Sequence, residues 1–80
     1  MTHGHLEILV EPFKENHPGP HVDAVLAVVK RAGLIADMGP FSTTVNGDIE
    51  TLTSIVQELM TAGFNAGADR ISVAIERHDH

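Results

Sequence analysis

The residues from Gly39 to Asp48 carry the densest group of side chains able to do chemistry. Thr43, Thr44 and Asn46 offer two hydroxyls and an amide within one short extended run. Gly39-Pro40 introduces that run as a bend. Asn46-Gly47 closes it before Asp48, a natural helix N-cap. Nothing beside these residues resembles a nucleophile, a cysteine pair or a phosphate-binding loop. Hydroxyl and amide groups without an activated nucleophile suit recognition of a small polar molecule better than its transformation. The plainer reading, β-branched strand formers followed by a turn into a helix, stands beside it.

Other groups give less. Glu7 and Glu11 share a strand face but lie about 13 Å apart at ~3.3 Å per residue, too wide for a cooperating acid and base. Met38 and Met60 read as core fillers rather than ligands. Six histidines in 80 residues are notable. His3 and His5 lie at the start of the chain and His78 and His80 at its end, while His17 and His21 border a proline-rich loop.

Bulk properties narrow the classes of function. Eighty residues make one domain with a small core, for which oligomerisation is the expected help. The absence of cysteine removes disulfides, thiolate catalysis and cysteine-based zinc sites. A net charge of −6, with only five Lys and Arg, excludes a basic nucleic-acid surface. Three aromatics, all Phe, give no stacking platform for single strands. An acidic surface is compatible with a cationic ligand or a metal as well as with simple solvation. No apolar run is long enough to insert in a membrane, and the start of the chain has no signal-type hydrophobic core, so a cytoplasmic protein is expected.

The elements that must position these groups follow from periodicity. Residues 5–11 alternate Leu6, Ile8 and Val10 against Glu7 and Glu11, a half-buried strand. Residues 12–20 hold three of the four prolines and form a loop. From His21 to Ala32, Val22, Val25, Leu26, Val29 and Ala32 make an amphipathic helix, with Pro20 at its start and Gly33 at its end. Residues 34–38 and 42–46 read as two further strands. Asp48 caps a second helix, buried through Leu52, Ile55, Val56 and Leu59 and ending before Gly67. Arg70 to Arg77 alternates again.

The order β-α-β-β-α-β has one dominant packing. It is the ferredoxin-like α+β fold, a four-stranded antiparallel sheet of order 4-1-3-2 with both helices on one face. It occupies one domain, 1–80, with a core of about 5–77. The uncovered face carries Glu7, Leu9, Glu11, Ser72, Ala74 and Glu76, too apolar in places to stay fully wet, so face-to-face or edge-to-edge self-association is expected. The same topology puts both chain ends at one sheet corner, where His3, His5, His78 and His80, with Asp79, become weak candidates for holding a metal ion.

Val10-Glu11-Pro12-Phe13, Pro18-Gly19-Pro20-His21-Val22, Gly39-Pro40-Phe41-x-Thr43-Thr44-x-x-Gly47-Asp48 and Ala66-Gly67-Ala68-Asp69-Arg70-Ile71-Ser72 together resemble the thiamine-binding protein superfamily. The resemblance is closest to its YkoF-like branch, which binds thiamine and hydroxymethylpyrimidine, and it spans roughly residues 6–77. It implies a non-catalytic, cofactor-free cytoplasmic binder of thiamine or its hydroxymethylpyrimidine moiety, assembled as a homodimer or homotetramer and serving salvage or transport. It also implies a pocket lined from Glu11, His21, Thr43, Thr44 and Asn46, of which Thr43 and Thr44 point to opposite faces of their strand, so that at most one of the two faces a given pocket. Two positions depart from it: Asn46 stands where relatives usually carry Glu, and Ser42 where many carry Gly. An amide such as Asn46 could meet the amine and ring nitrogen of an aminopyrimidine bidentately, as Asn meets adenine. A carboxylate such as Glu11 could accept from that amine and attract a thiazolium cation.

Two other classes compete. An acylphosphatase would need an Arg between Pro12 and Pro20, where there is none, and a copper chaperone would need cysteines. Cofactor-free ferredoxin-like enzymes remain open. A regulatory oligomer binding metal through its histidine-bearing ends is the third class.

Overall fold

A computed structural model describes residues 2–12, 19–39 and 42–78. The elements are β1 (His3–Glu11), α1 (Pro20–Arg31), β2 (Ala36–Met38), β3 (Thr43–Asp48), α2 (Ile49–Asn65) and β4 (Arg70–Arg77). The sheet order is β2-β3-β1-β4, all pairs antiparallel. This is the ferredoxin-like arrangement expected from the pattern.

Alternation decides which side of the sheet is covered. Leu6, Ile8 and Val10 of β1 and Val45 of β3 point under the helices. There they meet Val22, Val25, Val28 and Val29 of α1 and Leu52, Ile55 and Leu59 of α2 in one core. Each such side chain contributes roughly 1.5–3 kcal/mol on leaving water. Ile71, Val73 and Ile75 close the core from β4.

Both helices end in the same way. Gly33 and Gly67 adopt positive φ of 79° and 110°, conformations glycine reaches without strain. Leu34 N–H then donates to the Val29 carbonyl and Ala68 N–H to that of Gly63, each completing a Schellman cap. α2 begins on Asp48, whose Oδ2 accepts from Thr51 N–H at 3.2 Å and from Thr51 Oγ1 at 3.3 Å.

The boundaries differ from expectation where caps and pairing intervene. β1 starts two residues earlier, at His3, because the ladder continues through His78 N–H donating to the His3 carbonyl. The second strand shrinks from 34–38 to Ala36–Met38, since the α1 cap uses Leu34. Met38, expected in the core, lies on an edge strand and is 43% exposed. Met60 does pack on the core.

Candidate functional site

Among the described residues no helix covers the other face of the sheet, and register arranges its side chains in rows about 6.6 Å apart, two residues per step. Glu11 faces Arg70. The next row is Ser42, Leu9 and Ser72, the Leu9–Ser72 pair being part of the β1–β4 ladder and Ser42 continuing the β1–β3 register. Then come Thr44, Glu7 and Ala74, followed by Asn46, His5 and Glu76.

The second and third rows enclose a shallow groove of about 350 Å³ lined by Glu7, Leu9, Ser42, Ser72, Val73 and Ala74. Ser42 Oγ donates to Glu7 Oε2 at 3.3 Å, which holds the carboxylate at the β3 side of the groove. Leu9 and Ala74 supply an apolar floor and the two serines supply hydroxyls at its flanks. This set can hold a flat ring on Leu9 and Ala74 while Glu7 accepts from an amine or balances a cation. Of the charged residues on this face, Glu7, Glu11, Glu76 and Asp37 are acidic and Arg70 is basic, so a cationic ligand fits the field.

A larger hollow, about 510 Å³, runs along the outer side of α2 past Ser54, Gln57, Glu58, Thr61, Ala62 and Asn65. Its polar groups are partly spent already. Ser54 Oγ donates to the Thr51 carbonyl, and Glu58 holds Arg31 at 3.1 Å.

The residues singled out from the sequence fall in different places. Thr44 neighbours Glu7 on the open face, although its hydroxyl donates to the Asp37 carbonyl at 3.4 Å. Thr43, on the opposite side of the strand, is 8% exposed against the core. Glu11 is half-buried one row beyond Leu9. His21 Nε2 bonds to the Pro12 carbonyl, joining α1 to the end of β1. Asn46 is exposed, and its Oδ1 lies 3.0 Å from His5 Nδ1. Because Asn46 pairs with His5, it lies six β1 residues, roughly 20 Å, from Glu11, farther than one vitamin-sized ligand spans. The structure therefore brings Thr44 to Glu7 and keeps Asn46 and Glu11 at opposite ends.

Glu7, Ser42 and Ser72 were not on the sequence-derived pocket set. Alternation placed Glu7 and Ser72 on the open face, but their meeting with Ser42 depends on strand register. Among the terminal histidines, His5 and His78 approach with ring centres 5.9 Å apart, and His80 and Asp79 lie outside the described residues. Among the described residues, no cluster of three or more His, Asp or Glu is arranged to hold a metal ion.

Comparison with known proteins agrees with this architecture. The whole chain superimposes on a domain of unknown function from Bacillus cereus, covering 79% of that chain at TM-score 0.71 and 24% identity. It likewise covers 88% of a Streptococcus pneumoniae protein at TM-score 0.71 and 18% identity. A Thermotoga maritima protein provisionally named for thiamine biosynthesis/salvage matches over 98% of this chain and 84% of its own, at TM-score 0.69 and 23% identity. No curated protein matches the sequence. The profile described as "Thiamine-binding protein" matches residues 6–80, nearly the full length, and so the chain belongs to the thiamine-binding protein family.

Proposed function

We propose that the protein binds thiamine or its hydroxymethylpyrimidine moiety, without transforming it, in the groove on the open face of the sheet. The observation that carries this reading is the Glu7 carboxylate, held by Ser42 in a groove it shares with the apolar side chains of Leu9 and Ala74. An aromatic ring lies flat on such side chains, and the carboxylate accepts from an exocyclic amine or pairs with a thiazolium. Ser72 and Thr44 flank the bound ring, and Glu11 reaches its far end. Family membership supports the ligand class. The proposal includes a role for that binding in thiamine salvage or transport in the cytoplasm. No helix among the described residues is long and apolar enough to cross a membrane.

Self-association fits the edge of the sheet. Ile35 is 85% exposed and Met38 43%, beside a hollow of about 350 Å³ lined by Leu26, Val29, Lys30, Leu34 and Ala36. Pairing of two copies through β2 would cover this apolar edge and leave the groove open.

Isothermal titration with thiamine and, separately, with hydroxymethylpyrimidine tests the reading. Saturable heat is expected, with affinity falling about tenfold in Glu7→Gln, the scale of one hydrogen bond to a charged group at an accessible site. No heat for either ligand at ~1 mM, a concentration that would reveal even millimolar affinity, would overturn it.

A further inference from the structure

We propose that His5 and His78 form a two-imidazole site for a divalent transition-metal ion at the corner of the open face, separate from the groove. Two strands deliver these rings. β1 carries His5 outward, and the β4 ladder continues through His78 N–H to the His3 carbonyl, which sets His78 diagonally across from His5. The ring centres are 5.9 Å apart, with planes tilted by 30°.

Each ring also lies within hydrogen-bond distance of a side-chain oxygen. His5 Nδ1 faces Asn46 Oδ1 at 3.0 Å, and His78 Nε2 faces Glu76 Oε2 at 3.4 Å. In the neutral tautomer that donates Nε2–H to this carboxylate, the Nδ1 lone pair of His78 is free to ligate. In the tautomer that donates Nδ1–H to Asn46 Oδ1, the Nε2 lone pair of His5 is free to ligate. Imidazoles that bind metals are oriented in this way, one nitrogen donating to an oxygen and the other ligating.

The spacing suits one shared ion. With metal–nitrogen bonds of about 2.0–2.1 Å and a tetrahedral angle, two imidazole centres lie about 5 Å apart. Closing from 5.9 Å needs less than ~1 Å of side-chain adjustment at two accessible positions, which rotation about χ1 and χ2 supplies. Imidazole donors select zinc, copper or nickel over magnesium and calcium. With two protein ligands, the remaining coordination positions fall to water or to a small exogenous donor. Asn46 acts here as a positioning residue, not a ligand.

Zinc titration of the full chain by calorimetry tests the site. One zinc per chain is expected for the parent protein and for His80→Ala. Affinity should fall at least tenfold in His5→Ala and in His78→Ala. Asn46→Ala should weaken binding by about 10–100-fold, and Asn46→Asp, which keeps the acceptor, should restore it. If His5→Ala folds poorly by thermal melt, His5→Gln and the end-of-strand variant His78→Ala decide the matter. Zinc affinity unchanged by loss of either ring, an equal loss in His80→Ala (an adventitious ion only), or no saturable binding would each overturn the proposal.

Discussion

Gly63 lies in the middle of the contact that closes α2 onto the rest of the molecule, and replacing it with alanine pits two known effects against each other. In a helix interior, Gly→Ala favours folding by about 0.8–1.0 kcal/mol. A Cβ at this position, however, would stand 2.7 Å from Ile71 Cδ1 and 3.0 Å from Val25 Cγ2, well inside the ~3.5–4.0 Å at which carbon atoms rest. Val25 is 1% exposed on α1 and has no room to yield, whereas Ile71 Cδ1 ends a flexible, half-buried side chain of β4, so the new methyl displaces Ile71 and strains against Val25. Over-packing of this kind costs about 1–3 kcal/mol. Sterics therefore win, and Gly63→Ala should destabilise by roughly 1 kcal/mol, lowering Tm by about 4–8 °C for a domain of this size. Ile71→Val alone should cost about 0.5–1.5 kcal/mol. Together the two changes should cost less than their sum, because valine removes the Cδ1 that the new methyl strikes. A coupling of at least ~0.5 kcal/mol is expected. Urea melts of the four proteins measure it, with equal m-values confirming two-state unfolding. If Gly63→Ala matched or exceeded the parent in stability, the reasoning that α2 packs at a fixed distance would be refuted.

Other expectations concern single positions. Asp48→Ala removes the cap of α2 and should cost about 1 kcal/mol by urea melt, whereas Asp48→Asn should retain most of it. Leu52→Ala empties a fully buried site, and its expected cost of about 2–5 kcal/mol is a large part of the roughly 4–12 kcal/mol an 80-residue domain possesses, so circular dichroism should show a partly unfolded population at 37 °C. Ile35→Ser should leave the thermal stability of dilute protein within about 0.5 kcal/mol yet shift sedimentation toward monomer, and a parent that sediments as monomer would remove β2 as the proposed interface.

Much of the fold was legible because its signals are local. Alternation in β1 and β4 assigned their faces, and Asp48, Gly33 and Gly67 marked helix ends through capping chemistry that depends on few neighbours. Where a residue had two possible employments, the pattern misled. Leu34 looks like a strand residue but completes the α1 cap, so β2 begins late and Met38 emerges at the edge. The groove was less legible for a related reason. Ser42 and Glu7 are 35 positions apart and meet only through the β1–β3 register. Thr43 and Thr44 point to opposite faces of their strand, but residue type alone did not say which of them joins Asn46 on the open side. Alternation sends Thr43 inward, and pairing carries Asn46 to His5.

The most direct test of the account is to map thiamine onto the protein by backbone amide NMR titration. The account predicts saturable shifts at Glu7, Leu9, Ser42, Ser72 and Ala74, with the outer surface of α2 unmoved. Shifts confined to the Ser54–Asn65 side of α2, or none at saturating thiamine, would contradict it.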